Sequence, residues 1–130
     1  MNIKKVLLII LAVLFLIPIL YVGYLYVTYL EEYVTTGSGY GFTIGEGKED
    51  VFNKLSQKYG SKVKRYRFYK DREIYSKDKI EFSDEEYNGL KGYDKWKFYF
   101  DEKHIDYLAF YFEEDNLVKI ERHRQYFELP

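Results

Sequence analysis

An uninterrupted apolar run near the N-terminus constrains this chain more than any other feature. Residues 6–30 form a stretch of 25 without a single charged side chain. At about 1.5 Å per residue, a helix of this length crosses a hydrocarbon core of roughly 30 Å even when it is tilted. Pro18 lies inside the run, where a kink is tolerated. We therefore expect a transmembrane helix over residues 6–30.

The charges on either side of this run predict its orientation. Lys4 and Lys5 precede it, and Glu31 and Glu32 follow it directly. Positively charged flanks stay preferentially in the cytoplasm. The pattern therefore predicts that residues 1–5 are cytoplasmic and that the remaining 100 residues lie outside the cytoplasm.

A cleaved signal peptide is the alternative interpretation of the same run. Its apolar region normally spans about 7–15 residues and ends at a small-x-small site. Here the run is longer, and small residues at that spacing come only at Thr35-Thr36-Gly37 or Gly37-Ser38-Gly39. Retention is favoured, and cleavage stays open. The chain has no cysteine, which excludes a lipid-modified N-terminal cysteine and disulfides.

The composition after the apolar run predicts one small domain with an aromatic core. Residues 31–130 carry 18 Lys and Arg against 21 Asp and Glu, which is not the charge pattern of a nucleic-acid-binding domain. The chain has 16 Tyr and 10 Phe, so aromatic rings must supply much of the buried surface. A glycine-containing stretch, Gly37-Ser38-Gly39, falls within an expected flexible tether over 31–41. We expect the folded domain over 42–130.

The clearest helix of the domain is predicted over residues 48–59. Val51, Leu55 and Tyr59 recur every four residues and form one apolar stripe, while charged side chains occupy the other faces. Gly60 ends the pattern.

Residues 61–90 leave the choice between a strand and a second helix open, and we favour a short helix or an irregular segment within 70–87. Aromatic residues alternate here with six basic ones. The basic residues are Lys62, Lys64, Arg65, Arg67, Lys70 and Arg72. We favour a solvated face for them over a grip on a phosphate backbone or an acidic partner.

The pattern of the C-terminal third predicts β-strands. In residues 95–100, aromatic residues including Trp96 alternate with lysines, which is typical of a half-buried strand, and we expect Trp96 in the core. A second strand is predicted over 107–112 and a hairpin turn over 113–116. A last strand returns antiparallel over 117–127.

The last strand contains an irregular pattern. Val118 and Ile120 have one parity, and the same parity continues as Arg122, Arg124 and Tyr126. Either the strand extends past the helix that covers its first half, or a β-bulge redirects it.

No catalytic or metal-binding motif is present in the sequence. The two histidines, His104 and His123, lie in a predicted loop and on the polar side of the last strand. No serine lies in a nucleophile elbow, and no zinc-ligand spacing occurs. We therefore predict a protein that is not an enzyme and needs no cofactor or metal.

A binding surface is the functional feature that the sequence offers. Arg and Tyr are enriched at interaction hot spots because they combine a large contact area with directional polar groups. The candidate protein-binding residues are Arg122, Arg124, Tyr126, Tyr99 and Tyr111. Alternatively, the two arginines pair with Glu113, Glu114 or Glu121, and we favour this interpretation.

Several motifs resemble a known fold family. Gly45 before a helix, the aromatic strand 95–100 and the hairpin strands 108–112 and 117–120 resemble the small outer-membrane-assembly lipoproteins (SmpA/OmlA-like) and the β-lactamase-inhibitor-protein-like fold. The resemblance covers residues 42–122, although the lipoproteins' modified cysteine is missing. It implies an α+β domain, with one or two helices packed on one face of a three- to four-stranded antiparallel sheet.

A second resemblance concerns function. The entry segment 41–45, followed by Lys48-Glu49, resembles membrane-anchored immunity proteins of bacterial toxin systems. It implies a single-pass protein, held in the bilayer through residues 6–30, that binds and neutralises a toxin at the periplasmic side. The alternative is an envelope-assembly or scaffold component. In either case, the expected partner is another protein.

Overall fold

The computed structural model describes residues 2–78, 80–101 and 104–125. This part of the chain forms three helices and eight strands. In chain order they are α1 (Ile3–Thr28), β1 (Tyr29–Val34), β2 (Ser38–Gly39), β3 (Phe42–Thr43), α2 (Lys48–Tyr59), β4 (Arg65–Lys70), β5 (Glu73–Lys77), α3 (Asp84–Leu90), β6 (Lys95–Tyr99), β7 (Ile105–Glu113) and β8 (Asn116–Gln125).

Helix α1 does not contribute to the core of the domain. The Asn2 side chain caps its first turn by accepting a hydrogen bond from the backbone N–H of Lys4 at 3.2 Å. Its apolar side chains are exposed, and the most apolar stretch has no buried residue. By length and composition, Ile3–Val27 can cross a membrane, and a signal sequence would satisfy the same criterion.

One antiparallel sheet of six strands, in the order β1-β8-β7-β6-β4-β5, organises the domain. A separate two-stranded ribbon pairs β2 with β3. The predicted α+β class is confirmed. The predicted three- to four-stranded sheet, however, is an undercount.

Strand β1 is one of the strands that the sequence analysis did not foresee. It follows α1 without an intervening loop and pairs with β8 from Tyr29 opposite Gln125 to Val34 opposite Ile120. In the segment 31–41, where we expected a tether, the structure has the end of β1 and then β2. The start of β1 is apolar and aromatic like the helix before it, so composition gives no sign of the boundary.

The hairpin of β4 and β5 occupies the segment whose structure the sequence left open. Tyr66 and Phe68 of β4 are fully buried, but every residue of β5 is exposed. An edge strand exposed on both sides has no apolar alternation to reveal it. The second helix of this region, α3, begins after the N-cap Ser83, whose hydroxyl accepts from the Glu86 N–H at 3.3 Å.

The helices α2 and α3 contribute to a single aromatic core on one face of the large sheet. Helix α2 has the predicted bounds and buries Val51, Phe52 and Leu55. Trp96 is fully buried, as predicted, and its Nε1–H donates to the carbonyl oxygens of Leu90 at 3.2 Å and Tyr93 at 3.1 Å. These bonds satisfy the one polar group of the indole.

A β-bulge shifts the alternation at the start of the last strand, whereas Arg122 and Arg124 keep the parity of Ile120. The register between β7 and β8 shifts after Tyr111, so that Phe112 pairs with Leu117 and Tyr111 with Lys119. Leu117 and Ile120 both enter the core, whereas Val118 is only half-buried. The core position expected for Val118 therefore belongs to Leu117, because the extra residue reverses the alternation.

Candidate functional site

The face of the large sheet that carries no helix is the candidate functional site, and we call it the open face. Its side chains come from five neighbouring strands and alternate with those that enter the core. They include Glu31, Tyr33, Arg65, Arg67, Tyr69, Lys95, Lys97, Tyr99, Tyr107, Ala109, Tyr111, Lys119, Glu121 and His123.

Strand register arranges these residues so that cations and tyrosines are neighbours. Lys97 lies between Ala109 and Arg67 on the adjacent strands, while Lys95 lies between Tyr111 and Tyr69. Ala109 is fully buried beneath its larger neighbours. The centre of the face thus consists of packed side chains that are buried or half-buried.

Cation–π contacts connect the cations to the rings throughout this face. The distances from charged group to ring centroid are 4.4 Å for Arg65–Tyr99, 5.7 Å for Arg67–Tyr99, 4.9 Å for Lys95–Tyr69, 4.8 Å for Lys95–Tyr111, 4.4 Å for Lys97–Tyr107, 4.5 Å for Lys119–Tyr33 and 4.9 Å for Lys119–Tyr111. Contacts of this kind restrict the rotamers of long side chains before any partner binds.

A buried carboxylate, Glu121, lies near the centre of the open face. Its two oxygens accept hydrogen bonds from the Tyr107 hydroxyl at 2.9 Å and the Tyr111 hydroxyl at 2.7 Å. Burial by itself would raise the pKa of Glu121. The two hydrogen bonds and the nearby charges of Lys97 and Lys95 outweigh burial and lower this pKa below its ordinary value.

The pKa values of the two tyrosines shift in the opposite direction. Burial, followed by the hydrogen bond to Glu121, raises the pKa of both Tyr107 and Tyr111 well above the ordinary tyrosine value. Both hydroxyls therefore stay protonated and donate, and Glu121 stays ionised at neutral pH. Its hydrogen-bonding capacity is taken up within the face, so it organises the face instead of presenting a free acceptor.

Within the described residues, the cations of the open face lack carboxylate partners. In the described part of the chain, no carboxylate oxygen lies within 4.0 Å of the charged nitrogens of Arg65, Arg67, Lys95, Lys97 or Lys119. Burial lowers the pKa of Lys95 and of Lys97, because a partly buried ammonium group loses part of its hydration and its charged form becomes less favourable. An anionic partner would remove part of that cost.

The predicted binding residues divide between two faces. Tyr99 and Tyr111 lie on the open face, but Arg122 and Arg124 have the opposite parity, facing the side of the sheet that carries the helices. Tyr126 lies outside the described residues. The sheet does not bring the predicted tyrosines and arginines into one cluster.

Arg122 has a structural partner that the sequence did not suggest. Its Nη1 lies 2.6 Å from Oδ1 of Asp106 and donates to the carbonyl oxygens of Tyr107 and His123, each at 3.0 Å. Both side chains of the ion pair are largely buried, and the guanidinium lies 5.4 Å from the centre of the Phe100 ring. The expected pairing with a glutamate is thus replaced by pairing with an aspartate on β7.

Arg124 contacts the end of the apolar helix. Its Nη2 donates to the carbonyl oxygen of Val27 at 3.1 Å, and the ring of Tyr29 packs edge-on against His123 at a centroid distance of 5.5 Å. A cation at a helix C-terminus interacts favourably with the helix dipole. Strand β8 therefore contacts the junction between α1 and β1.

The sequence contained partial signals of the open face. The basic residues interleaved with aromatic ones in 62–72 include Arg65 and Arg67, and the alternation in 95–100 includes Lys95 and Lys97. What no local pattern showed is that these two segments are adjacent strands with their basic residues on one side. The sequence did not indicate a role for Glu121, because the tyrosines that donate hydrogen bonds to it lie on another strand.

Among the described residues, no group of three or more His, Asp or Glu side chains is arranged to hold a metal ion. The arrangement of the open face suits binding by charge, stacking and hydrogen bonding. Compared with protein-family models, curated proteins and solved structures, the chain matches none of them.

Proposed function

We propose that this protein is a single-pass, membrane-anchored binding protein without enzymatic activity, and that it acts as an immunity or inhibitor protein against a bacterial toxin. The open face is the observation that carries the proposal. It combines Tyr and Arg, the residue types enriched at hot spots, with cations that lack a carboxylate partner within the described chain.

The expected topology supports this function. With Lys4 and Lys5 in the cytoplasm, α1 crosses the inner membrane and the sheet lies in the periplasm. Strand β1 begins directly after the helix, so the domain stays close to the bilayer surface. A toxin that reaches or enters this membrane would meet the domain there.

Inhibition would work by occupancy. The side chains of the open face already pack on one another, so binding orders fewer rotamers and costs less entropy. The positive charge of the face would raise the encounter rate with an anionic partner, and this effect would weaken with added salt.

The test combines protection and capture in the native host. Cells that carry the full-length protein, the double variant Lys95→Glu, Lys97→Glu or no protein are exposed to neighbouring toxin-producing cells. The matched control is Lys64→Glu, Lys70→Glu, which reverses the same number of charges at exposed positions of opposite parity. We expect the deletion and the open-face variant to be sensitive, and the control to be protected.

Affinity capture from membranes with the same set should recover one stoichiometric partner that the open-face variant loses. Equal sensitivity of the deletion strain and its parent would refute the immunity function.

An envelope-assembly or scaffold role is the second candidate. It is favoured by the arrangement of helices on one face of an antiparallel sheet, which the resemblance to the assembly lipoproteins implies. Deletion should then change outer-membrane permeability and protein content, and capture should recover assembly factors. An unchanged outer membrane would argue against this role.

A further inference from the structure

Two arginines share one aromatic ring on the open face. The guanidinium carbons of Arg65 and Arg67 lie 4.4 Å and 5.7 Å from the centre of the Tyr99 ring. The two arginines are two residues apart on β4, and Tyr99 lies opposite Arg65 on β6. A guanidinium held against a ring keeps the N–H groups at its edge available for a planar acceptor.

Nothing in the described chain supplies that acceptor. Among residues 2–78, 80–101 and 104–125, no carboxylate oxygen lies within 4.0 Å of either guanidinium, and no hydrogen-bond partner contacts the buried Nε of Arg65. The nearest buried carboxylate of this face, Glu121, already accepts from two tyrosines. Lys97 lies opposite Arg67 and adds a third cation that has no carboxylate partner in the described part of the chain.

We propose that Arg65, Arg67 and Tyr99 form a carboxylate-binding subsite, occupied by an Asp or Glu side chain of an acidic polypeptide segment. The inference rests on the proposed function in one respect: it takes the partner to be a protein. The guanidinium fork matches the two oxygens of a carboxylate, and a charge-assisted pair of this kind is stronger than a neutral hydrogen bond.

The negative charges of the open face favour a polypeptide over a lipid surface or a polyphosphate. Glu31 and Glu121 lie on the same face as the cations. A continuous layer of phosphate groups would lie against these carboxylates wherever it covered the cations. A polypeptide carries carboxylates at separate positions and can place uncharged groups over the two glutamates.

Peptide binding to the full-length protein in phosphatidylcholine nanodiscs tests this subsite. The probe is a fluorescently labelled peptide of alternating Glu and Ser, and its control has Gln in place of every Glu. The variants are Arg65→Gln, Arg67→Gln and the charge-retaining Arg65→Lys, Arg67→Lys. The matched control is Lys64→Gln, Lys70→Gln on the opposite side of the same segment.

We expect the Glu peptide to bind and the Gln peptide not to bind. The Arg→Gln pair should weaken binding about tenfold or more, and the Lys control less than about twofold. The Arg→Lys pair should restore only part of the affinity, because lysine lacks the planar fork. Thermal unfolding of each variant verifies that the fold is intact.

Equal weakening by the Arg→Gln pair and the Lys control would overturn the subsite, because net charge alone would then explain binding. Preference for phosphatidylglycerol vesicles over the Glu peptide would also overturn it. If the proposed subsite is wrong, the Arg65→Gln, Arg67→Gln variant should protect cells from the toxin as well as the native protein does. Failure of the proposed function would instead leave peptide binding intact in a protein whose deletion causes no sensitivity.

Discussion

Replacing Glu121 by Gln tests the organisation of the open face most directly. The carboxylate accepts hydrogen bonds from Tyr107 at 2.9 Å and Tyr111 at 2.7 Å, and the residue is only 7% exposed. Glutamine keeps the shape and can still accept from one hydroxyl and donate to the other, so no cavity forms. The substitution therefore isolates the contribution of the charge.

The expected cost follows from the two hydrogen bonds. A hydrogen bond to a charged group contributes roughly 1.5–3 kcal/mol and a neutral one roughly 0.5–1.5 kcal/mol, so two bonds lose about 2 kcal/mol together. In a domain of this size, that loss lowers the melting temperature by roughly 10 °C. The assay is thermal and urea unfolding of the full-length protein in detergent micelles, with Glu113→Gln as the control at an exposed site of β7.

The pH dependence gives the assay a second readout. Folding lowers the pKa of Glu121, so the ionised carboxylate stabilises the native state above its ordinary pKa of 4.5. This contribution is lost as the pH falls through the lower pKa of the folded protein. The difference in unfolding free energy between native protein and Glu121→Gln should therefore be full at pH 7 and shrink towards zero in acid. A difference that stays constant from pH 7 into acid would refute this account of Glu121.

Three further predictions concern the core and the last strand, and each is tested by unfolding of the full-length protein. Trp96→Ala should cost about 3–5 kcal/mol because the buried ring packs among other aromatic residues, and unchanged stability would contradict the sheet orientation. Leu117→Ala should cost about 2–5 kcal/mol and Val118→Ala at most about 1 kcal/mol, since the bulge buries only the first; the reverse order would exclude the bulge. Arg122→Ala should cost about 3–5 kcal/mol because it removes the cation that lies 2.6 Å from the largely buried carboxylate of Asp106, and replacing both residues with apolar ones should recover part of that loss. Equal stability of the single and double variants would contradict a buried ion pair.

Local sequence patterns predicted an element correctly where the residues of that element and its immediate neighbours set its boundaries. Helix α2 has the predicted bounds because its apolar residues recur every four positions and glycines flank it on both sides. Strand β6 matches its prediction because Trp96 and Phe98 alternate with lysines. In both elements, the burial of a side chain follows from its position within the element.

Prediction failed where burial depends on elements far away in the sequence. Strand β5 is exposed on both sides, so its residues carry no strand pattern. Arg122 was expected to bind a partner or to pair with a glutamate, and it is largely buried against Asp106 because β7 and β8 are neighbours. Tyr99 was a candidate binding residue and is only 6% exposed, since Arg65 and Arg67 cover its ring.

The sequence by itself determined the long apolar helix, the α+β class, helix α2 and the aromatic composition of the core. These properties depend on residue type and on periodicity within short segments. Only the tertiary structure decided that Arg65, Arg67, Lys95, Lys97 and Lys119 share one face with a central Glu121. That arrangement depends on strand order and register, because a shift of one residue in pairing would send each side chain to the opposite face of the sheet.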